Sequence, residues 1–340
     1  MSTGDRHPSS RREIVGASGI GLAAAAASPS FAQVSKPASA PVGPSDSVGL
    51  QDPTSKYPKP PFRRQSQPWP GLASRMDPRP DHGETSYRGS GRLAGRKALV
   101  TGGDSGMGRA AAIAFAREGA DVAINHLPQE EPDAREVIDL IRGEERVGLS
   151  IPGDIRDEAF CKRLVDEAVS GLGGLDILVC NAGRQQSRAS ILDISTEDFD
   201  ATMKTNIYAP FWIIKAALPH LRPGSTIIGT ASEQAYDPSP DLYDYAQTKA
   251  ATMNYVKSLA KQLAPKGIRV NAVAPGPIWT PLQVSGGATM DKLEKFGAQT
   301  PMGRPGQPAE LGSIYVQLAL EDASYATGQV YGSSGGHGQP

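Results

Sequence analysis

The feature that most constrains this chain is a short apolar run, Lys97-Ala98-Leu99-Val100, which stops at Thr101-Gly102-Gly103-Asp104-Ser105-Gly106-Met107-Gly108 and passes into an Ala-rich stretch with helical spacing over 109–117. Glycines between a buried strand and a helix permit a tight turn, and they let main-chain N–H groups at the helix N-terminus approach an anion. The position between strand and helix gives the glycines their weight, since the pattern alone is common. The alternation then continues. Strands are predicted at 121–124, 147–151, 175–179, 226–228 and 267–273, with helical patterns at 160–172, 210–221 and 245–263. Short apolar strands alternating with helices predict an α/β fold, a doubly wound parallel sheet with helices on both faces, as a single domain over 92–340.

Ahead of that domain the composition changes. Ser10-Arg11-Arg12-Glu13-Ile14-Val15 opens a soft Ala- and Gly-rich run, and Ser30-Phe31-Ala32 offers the small-x-small pattern of a cleavage site. A charged start, an apolar middle and a small-residue end are the parts of an export signal, and paired arginines point to the twin-arginine route. The run is shorter than a membrane-spanning helix requires, so no stable membrane insertion is expected. Residues 1–32 therefore read as a signal peptide cleaved after Ala32, with a periplasmic product. An uncleaved tail on a cytoplasmic protein is the alternative. Residues 33–91 are rich in Pro, Ser, Gln and Arg, and Tyr57-Pro58-Lys59-Pro60-Pro61-Phe62 and Pro68-Trp69-Pro70-Gly71 sustain neither helix nor central strand. The start of this stretch reads as a flexible linker. Phe62, Trp69, Leu72, Met76 and Tyr87 are too many large apolar groups for a solvated tether, so the remainder is expected to be an arm packed on the domain or on a neighbouring subunit.

Bulk properties exclude several classes. With 35 basic and 36 acidic residues the net charge is -1, and no electrostatic footprint for nucleic acid follows. Cys161 and Cys180 cannot build a disulfide framework, and the histidines at 7, 82, 126, 220 and 337 lack ligand spacing, so no metal site is expected.

The motifs point further. The spacing Gly102-x-x-x-Gly106-x-Gly108 resembles that of the short-chain dehydrogenase/reductase family, whose fold is Rossmann-like. Asn181-Ala182-Gly183 follows the fourth strand as it does there. Tyr245-Ala246-Gln247-Thr248-Lys249 matches the family's Tyr-x-x-x-Lys signature, and Ser232 lies thirteen residues before Tyr245, where its catalytic serine falls. Asn206 matches its helical active-site asparagine, and Pro275-Gly276-Pro277-Ile278-Trp279-Thr280 looks like the segment that grips a nicotinamide. The likeness spans roughly residues 93–336, and the arm resembles a bacterial subgroup related to general stress protein 39. The resemblance implies an enzyme that moves a hydride between a nicotinamide cofactor and a small aldehyde, ketone or alcohol, assembled as a homotetramer.

Residue chemistry supports that expectation independently. Tyr245 and Lys249 stand one helical turn apart and share a face. A free tyrosine has a pKa near ~10, and a nearby ammonium lowers it. Bringing it toward ~7 takes about 4 kcal/mol, which a close cation and an oxidised nicotinamide ring would supply together. Tyr245 would then protonate a carbonyl oxygen as hydride arrives. Ser232 would hold the same oxygen, Lys249 would bind the nicotinamide ribose, and Asn206 would hold a water linking Lys249 to solvent. Cys180 has no basic neighbour in sequence and reads as core.

The expected cofactor cradle comprises Gly102, Asp104, Ser105, Gly106, Met107 and Gly108, then Asn125, Asp154 and Ile155, Asn181 to Gly183, Tyr245 and Lys249, and Pro275, Gly276, Ile278 and Thr280. The second strand ends Ile124-Asn125-His126-Leu127, without the acid that selects NAD by binding the ribose 2′-hydroxyl. Asn125 and Ser105 would bond a 2′-phosphate and Asp154 would meet the adenine, so NADP is expected, with NAD the alternative. Trp279, Leu282, Val284 and Met290 predict a partly apolar substrate pocket. Two other functions fit the fold, a non-catalytic dinucleotide sensor or scaffold and an epimerase or dehydratase. The intact Asn206, Ser232, Tyr245 and Lys249 set speaks against the first. Only about sixty residues after Thr280 speaks against the larger lobe of the second.

Overall fold

The structure is a computed structural model and describes residues 50–337. The signal peptide expected over 1–32 and the start of the arm over 33–49 lie outside the described residues. Seven strands form one sheet: β1 (Lys97–Thr101), β2 (Asp121–His126), β3 (Gly148–Pro152), β4 (Ile177–Cys180), β5 (Thr226–Thr230), β6 (Arg269–Pro275) and β7 (Val330–Ser333). Their spatial order is β3-β2-β1-β4-β5-β6-β7 and every pairing is parallel. The order reverses between β1 and β4, so the crevice such a sheet leaves lies beyond the carboxyl ends of those two strands. The helices are α1 (Gly106–Arg117), α2 (Glu131–Gly143), α3 (Glu158–Leu172), α4 (Thr196–Met203), α5 (Ala209–Ala217), α6 (Tyr243–Leu263), α7 (Met290–Glu294) and α8 (Ala309–Ala319).

Strand alternation puts a core on each face. Leu99, Leu178 and Ile227 point to one side and pack with Phe160 of α3, Ile213 of α5 and Leu263 of α6. Ala98, Val100, Val179 and Ile228 point to the other and meet Phe115 of α1, Ile141 of α2 and Tyr315 of α8. This is the expected Rossmann-like doubly wound sheet, with one strand more than the sequence predicts. β7, Val330-Tyr331-Gly332-Ser333, is short, half-buried and glycine-interrupted, so no apolar run marks it; it forms only by pairing with β6 at Ala272–Pro275.

The boundary expected at residue 92 also moves. The compact unit that holds the sheet begins at Gln51. The arm's apolar side chains find partners on their own chain. Phe62 stacks on Trp279 with ring centroids 4.3 Å apart, and Met76, Val284 and Leu293 complete that cluster. Burying such side chains is worth about 1.5–3 kcal/mol each. Polar contacts fasten the rest. Arg117 donates to Gly83 O, Glu84 O and Tyr87 O at 2.6 Å each. Arg304, almost fully buried, holds Glu310 at 2.7 Å and Pro53 O at 2.8 Å. Arg109, equally buried, pairs with Glu84 and Glu136 at 2.9 Å.

Candidate active site

The glycine loop after β1 is fixed by sterics. Gly102 and Gly106 sit at φ +62° and +53°, a region that disfavours a Cβ. A Cβ on Gly108 would run into Gly102 O, and one on Gly103 would meet Ile124 Cβ at 2.6 Å. Ser105 precedes α1 without a side-chain cap bond, so the first N–H groups of that helix stay available to a ligand. Asn181, just beyond β4, braces the loop: its Nδ2 donates to Gly102 O at 3.2 Å and its main-chain N to Thr101 Oγ1 at 3.0 Å. Gly102, Asp104, Ser105, Gly106 and Met107 line a cleft of about 970 Å³ together with Asn125, Asp154, Ile155, Asn181, Ala182 and Gly183. Gly108 does not line it and serves packing instead.

The far end of the cleft is acidic. Asp104 is 1% exposed and its Oδ2 has no hydrogen-bond partner among the described residues. Glu130, behind the tip of β2, lines the same end with His126 and Leu127. Burial pushes the Asp104 carboxyl up, and burial reinforced by the charge of Asp104 pushes Glu130 up. An unpartnered buried carboxyl that can hold a proton, facing a cradle a Cβ would fill, fits the hydroxyl-rich sugar and the phosphates of a dinucleotide. Asn125 and Asp154 are less free than the sequence predicts. Asn125 Nδ2 donates to Ile151 O at 3.1 Å and Gly153 O at 3.2 Å, tying β2 to β3 rather than reaching outward. The Asp154 carboxylate is held by Arg156 at 2.6 Å.

At the other end stand Tyr245 and Lys249 on α6. Lys249 Nζ donates to Thr230 O at 2.7 Å and lies 5.3 Å from the Tyr245 ring centroid. Ser232 follows β5, its Oγ accepting from Gln234 N at 3.2 Å, and its hydroxyl sits beside the Tyr245 phenol. Burial pushes Tyr245 up to about 12, the Ser232 hydrogen bond opposing it only in part, and burial lowers Lys249 to about 8. Desolvation dominates this balance, so the protein's own groups leave the phenol protonated at neutral pH.

Asn206 lies in a π-helical turn, Lys204–Tyr208, between α4 and α5. Its Nδ2 donates to Arg184 O and to Thr248 Oγ1, both at 2.9 Å, and its Oδ1 accepts from Arg184 N at 2.8 Å. Both amide hydrogens are committed, so the side chain braces the loop after β4 against α6 at Thr248.

Tyr245 closes the cleft and opens onto a second cavity of about 1260 Å³. Ser232 faces only this second cavity, Thr280 faces both, and Pro275, Gly276 and Ile278, expected on the cofactor, line the second one. Its wall is mixed: Leu242, Ile278, Leu282, Ala288 and Phe296 supply apolar surface, and Gln185, Glu233, Gln234, Asp241 and Lys292 supply polar groups. Leu282 lines this cavity, in line with the partly apolar pocket expected from the segment after Trp279, whereas Trp279, Val284 and Met290 turn away into the cluster around Phe62. Cys161 and Cys180 are buried, and burial pushes both thiols up to about 12, leaving them inert. Among the described residues no cluster suits a metal ion, and no helix is long and apolar enough to cross a membrane. Sequence reasoning missed Trp69 to Gly71 and Glu130 in the cleft, and Gln185 and Lys292 in the cavity. They come from loops and from α7, which only the tertiary fold brings to the site.

A cradle for a dinucleotide and a Tyr/Lys/Ser group at its reactive end define an oxidoreductase of the nicotinamide-dependent kind. A family model described as enoyl-(acyl carrier protein) reductase matches residues 102–337. The chain is 56% identical over 287 residues to the uncharacterized oxidoreductase YghA of Escherichia coli (strain K12), spanning 84% of this chain and 98% of that one. It is 46% identical over 284 residues to general stress protein 39 of Bacillus subtilis (strain 168), spanning 83% and 98%, in keeping with the likeness expected from the arm. A solved short-chain dehydrogenase from Burkholderia cenocepacia J2315, in complex with NADP, matches with a TM-score of 0.66 at 33% identity over 72% of this chain and 98% of that one. The chain belongs to the short-chain dehydrogenase/reductase family, and is an enzyme of that family.

Proposed function

We propose that this enzyme transfers a hydride between NADP and a small, polar carbonyl compound or the corresponding alcohol, with Tyr245 as its acid and base. One observation carries the reading: Tyr245 lines both cavities, with Met107, Thr280 and Leu282, and is the proton-bearing side chain beside Ser232 among them, so a cofactor in the cleft and a substrate in the second cavity would meet at it. Bound NADP supplies or accepts the hydride. Raised to about 12, Tyr245 keeps its proton at neutral pH and is poised to give it to a carbonyl oxygen, which favours reduction. Ser232 holds that oxygen beside the phenol. Lys249, anchored on Thr230 O, is aimed past Gly183 toward the cleft and would take the ribose hydroxyls. The remaining donors and acceptors of Gln185, Gln234 and the Asp241–Lys292 ion pair stand among apolar neighbours, which suits a small carbonyl compound that also bears hydroxyls. NADP rather than NAD is supported by the cofactor of the Burkholderia structure and by the missing acid at Asn125.

The test is NADPH oxidation by the purified full chain against short aldoses and hydroxyaldehydes, with alkyl aldehydes of equal size for comparison. Turnover should favour the hydroxylated set, and Tyr245→Phe should lose about a hundredfold or more while still binding NADPH. Residual turnover within about threefold of wild type would remove Tyr245 from the chemistry, since general acid–base catalysis is worth far more.

A further inference from the structure

The Trp69-Pro70-Gly71 step of the arm lies in the wall of the dinucleotide cleft, and its two ends are tied to opposite banks. On one bank, Gln67 N donates to Val284 O at 2.9 Å, and Gly71 sits against Pro281 and Ser285 so closely that a Cβ would come within 3.1 Å of Pro281 O. That bank adjoins the glycine loop, for Thr280 is what a Cβ on Gly106 would meet at 3.3 Å. On the other bank, Ala73 N donates to Asp133 Oδ2 at 2.6 Å and Ser74 N to its Oδ1 at 3.3 Å, in the first turn of α2 beyond the tip of β2. Between the anchors the segment is pinned on itself: the Gln67 amide accepts from Leu72 N at 2.8 Å and donates to Leu72 O at 3.0 Å.

A chain fixed at Val284 and at Asp133 has to span the cleft above Asp104, Ser105 and Gly106. We propose that Trp69 is a cofactor-contacting residue, that residues 67–74 form a strap across the pyrophosphate portion of the bound dinucleotide, and that the strap has to lift before cofactor can exchange. The proposal rests on the dinucleotide reading given above. The strap belongs to no strand of the sheet; hydrogen bonds, Gly71 against Pro281 and the buried Leu72 and Ala73 hold it, so it opens locally without unfolding the sheet. Its consequence falls on the dissociation rate, because a ligand under a strap leaves only when the strap is up. The Gln67–Val284 bond and the Phe62–Trp279 stack also tie the strap to the 279–294 segment, so opening one loosens the other.

The experiment is stopped-flow release of NADPH from the full chain, followed by its fluorescence and chased with excess NADP. Wild type is compared with Trp69→Ala, which removes the contact, and Asp133→Asn, which weakens one anchor outside the cleft; melting temperatures verify that each is folded. The strap requires NADPH release at least tenfold faster in both. Should Trp69→Ala not fold, Gln67→Ala, which frees the self-pinning bonds, takes its place. Release within twofold of wild type in the folded variants would overturn the strap. Wild type that binds neither NADPH nor NADH would overturn the dinucleotide reading as well, and the binding trace distinguishes the two failures.

Discussion

Lys249 lies over the ring of Tyr245, its Nζ 5.3 Å from the centroid, and spends one of its protons on Thr230 O at 2.7 Å. Burial lowers this ammonium to about 8, so the charge is present below that pH and lost above it. Tyr245, at about 12, keeps its proton throughout that window. The efficiency kcat/KM for carbonyl reduction is therefore expected to be flat near pH 6–7 and to fall by about tenfold per pH unit above about 8, as one proton is lost. Lys249→Arg should move the break upward, because a guanidinium keeps its charge. A profile flat through pH 10 would show that Lys249 is not the group that titrates.

Asp104 and Glu130 supply a second pH effect, with the opposite sign to an ordinary ion-paired carboxylate. Both are raised by burial, and the Asp104 charge raises Glu130 further. An acid whose native pKa exceeds its unfolded value binds a proton more tightly when folded. Its contribution is complete at low pH and declines as pH rises from the unfolded value through the native one. Glu130→Gln removes that decline. Its melting temperature should exceed wild type most at pH 9 and least at pH 5, by about 1–2 °C for each 1 kcal/mol relieved in a chain of this size. A lower melting temperature than wild type at pH 9 would mean that Glu130 is stabilising as a carboxylate.

The same pair bears on the cofactor. Asp104 faces the end of the cleft where the tip of β2 would read the adenosine ribose. An ionised carboxyl there opposes a 2′-phosphate, and a protonated one donates to it. The ratio of kcat/KM for NADPH over NADH should therefore decline between pH 6 and 9, and Asp104→Asn should hold it constant. A ratio that rises with pH would place the 2′ position elsewhere.

The layout of the sheet and the reactive end of the site were legible because both are local. Short continuous apolar runs announce strands buried on both faces, and Tyr245 and Lys249 owe their shared face to one turn of helix. What escaped was non-local. Trp279 reads as a pocket residue until Phe62, more than two hundred residues earlier, is seen stacked on it. Asn125 reads as a phosphate ligand until Ile151 O and Gly153 O claim its amide. Asp104 from the glycine loop and Glu130 from the turn after β2 line the same cleft, which no fixed offset reveals.

Tyr208 and Phe211 project from the start of α5, 47% and 60% exposed, in a chain expected to form a homotetramer by its resemblance. Aromatic side chains left bare on one helix suit a self-complementary contact with a second copy. Light scattering should give a tetramer for wild type and a smaller species for Phe211→Glu, with the melting temperature lowered as subunits separate. An unchanged mass would put the subunit contact elsewhere, and a monomeric wild type would end the expectation.

Location is the remaining proposal, and it stands on Arg11-Arg12, the Ala-rich run and Ser30-Phe31-Ala32, all outside the described residues. A reductase sent out of the cytoplasm leaves behind the source of its reduced cofactor, which is a physical objection to export. The twin-arginine route answers part of it by moving proteins already folded, so that a chain holding NADPH could cross with its ligand in place. The strap over the cleft answers another part, because slow release is what a cofactor carried on such a journey requires. Regeneration would then fall to a second substrate oxidised in the same cavity. Fractionation with N-terminal sequencing decides the matter: a periplasmic chain beginning after Ala32, lost when both arginines become lysine, is the expected result. A cytoplasmic chain that keeps Arg11 and Arg12, indifferent to that double change, would end the export proposal while leaving Tyr245, Ser232 and Lys249 in their roles.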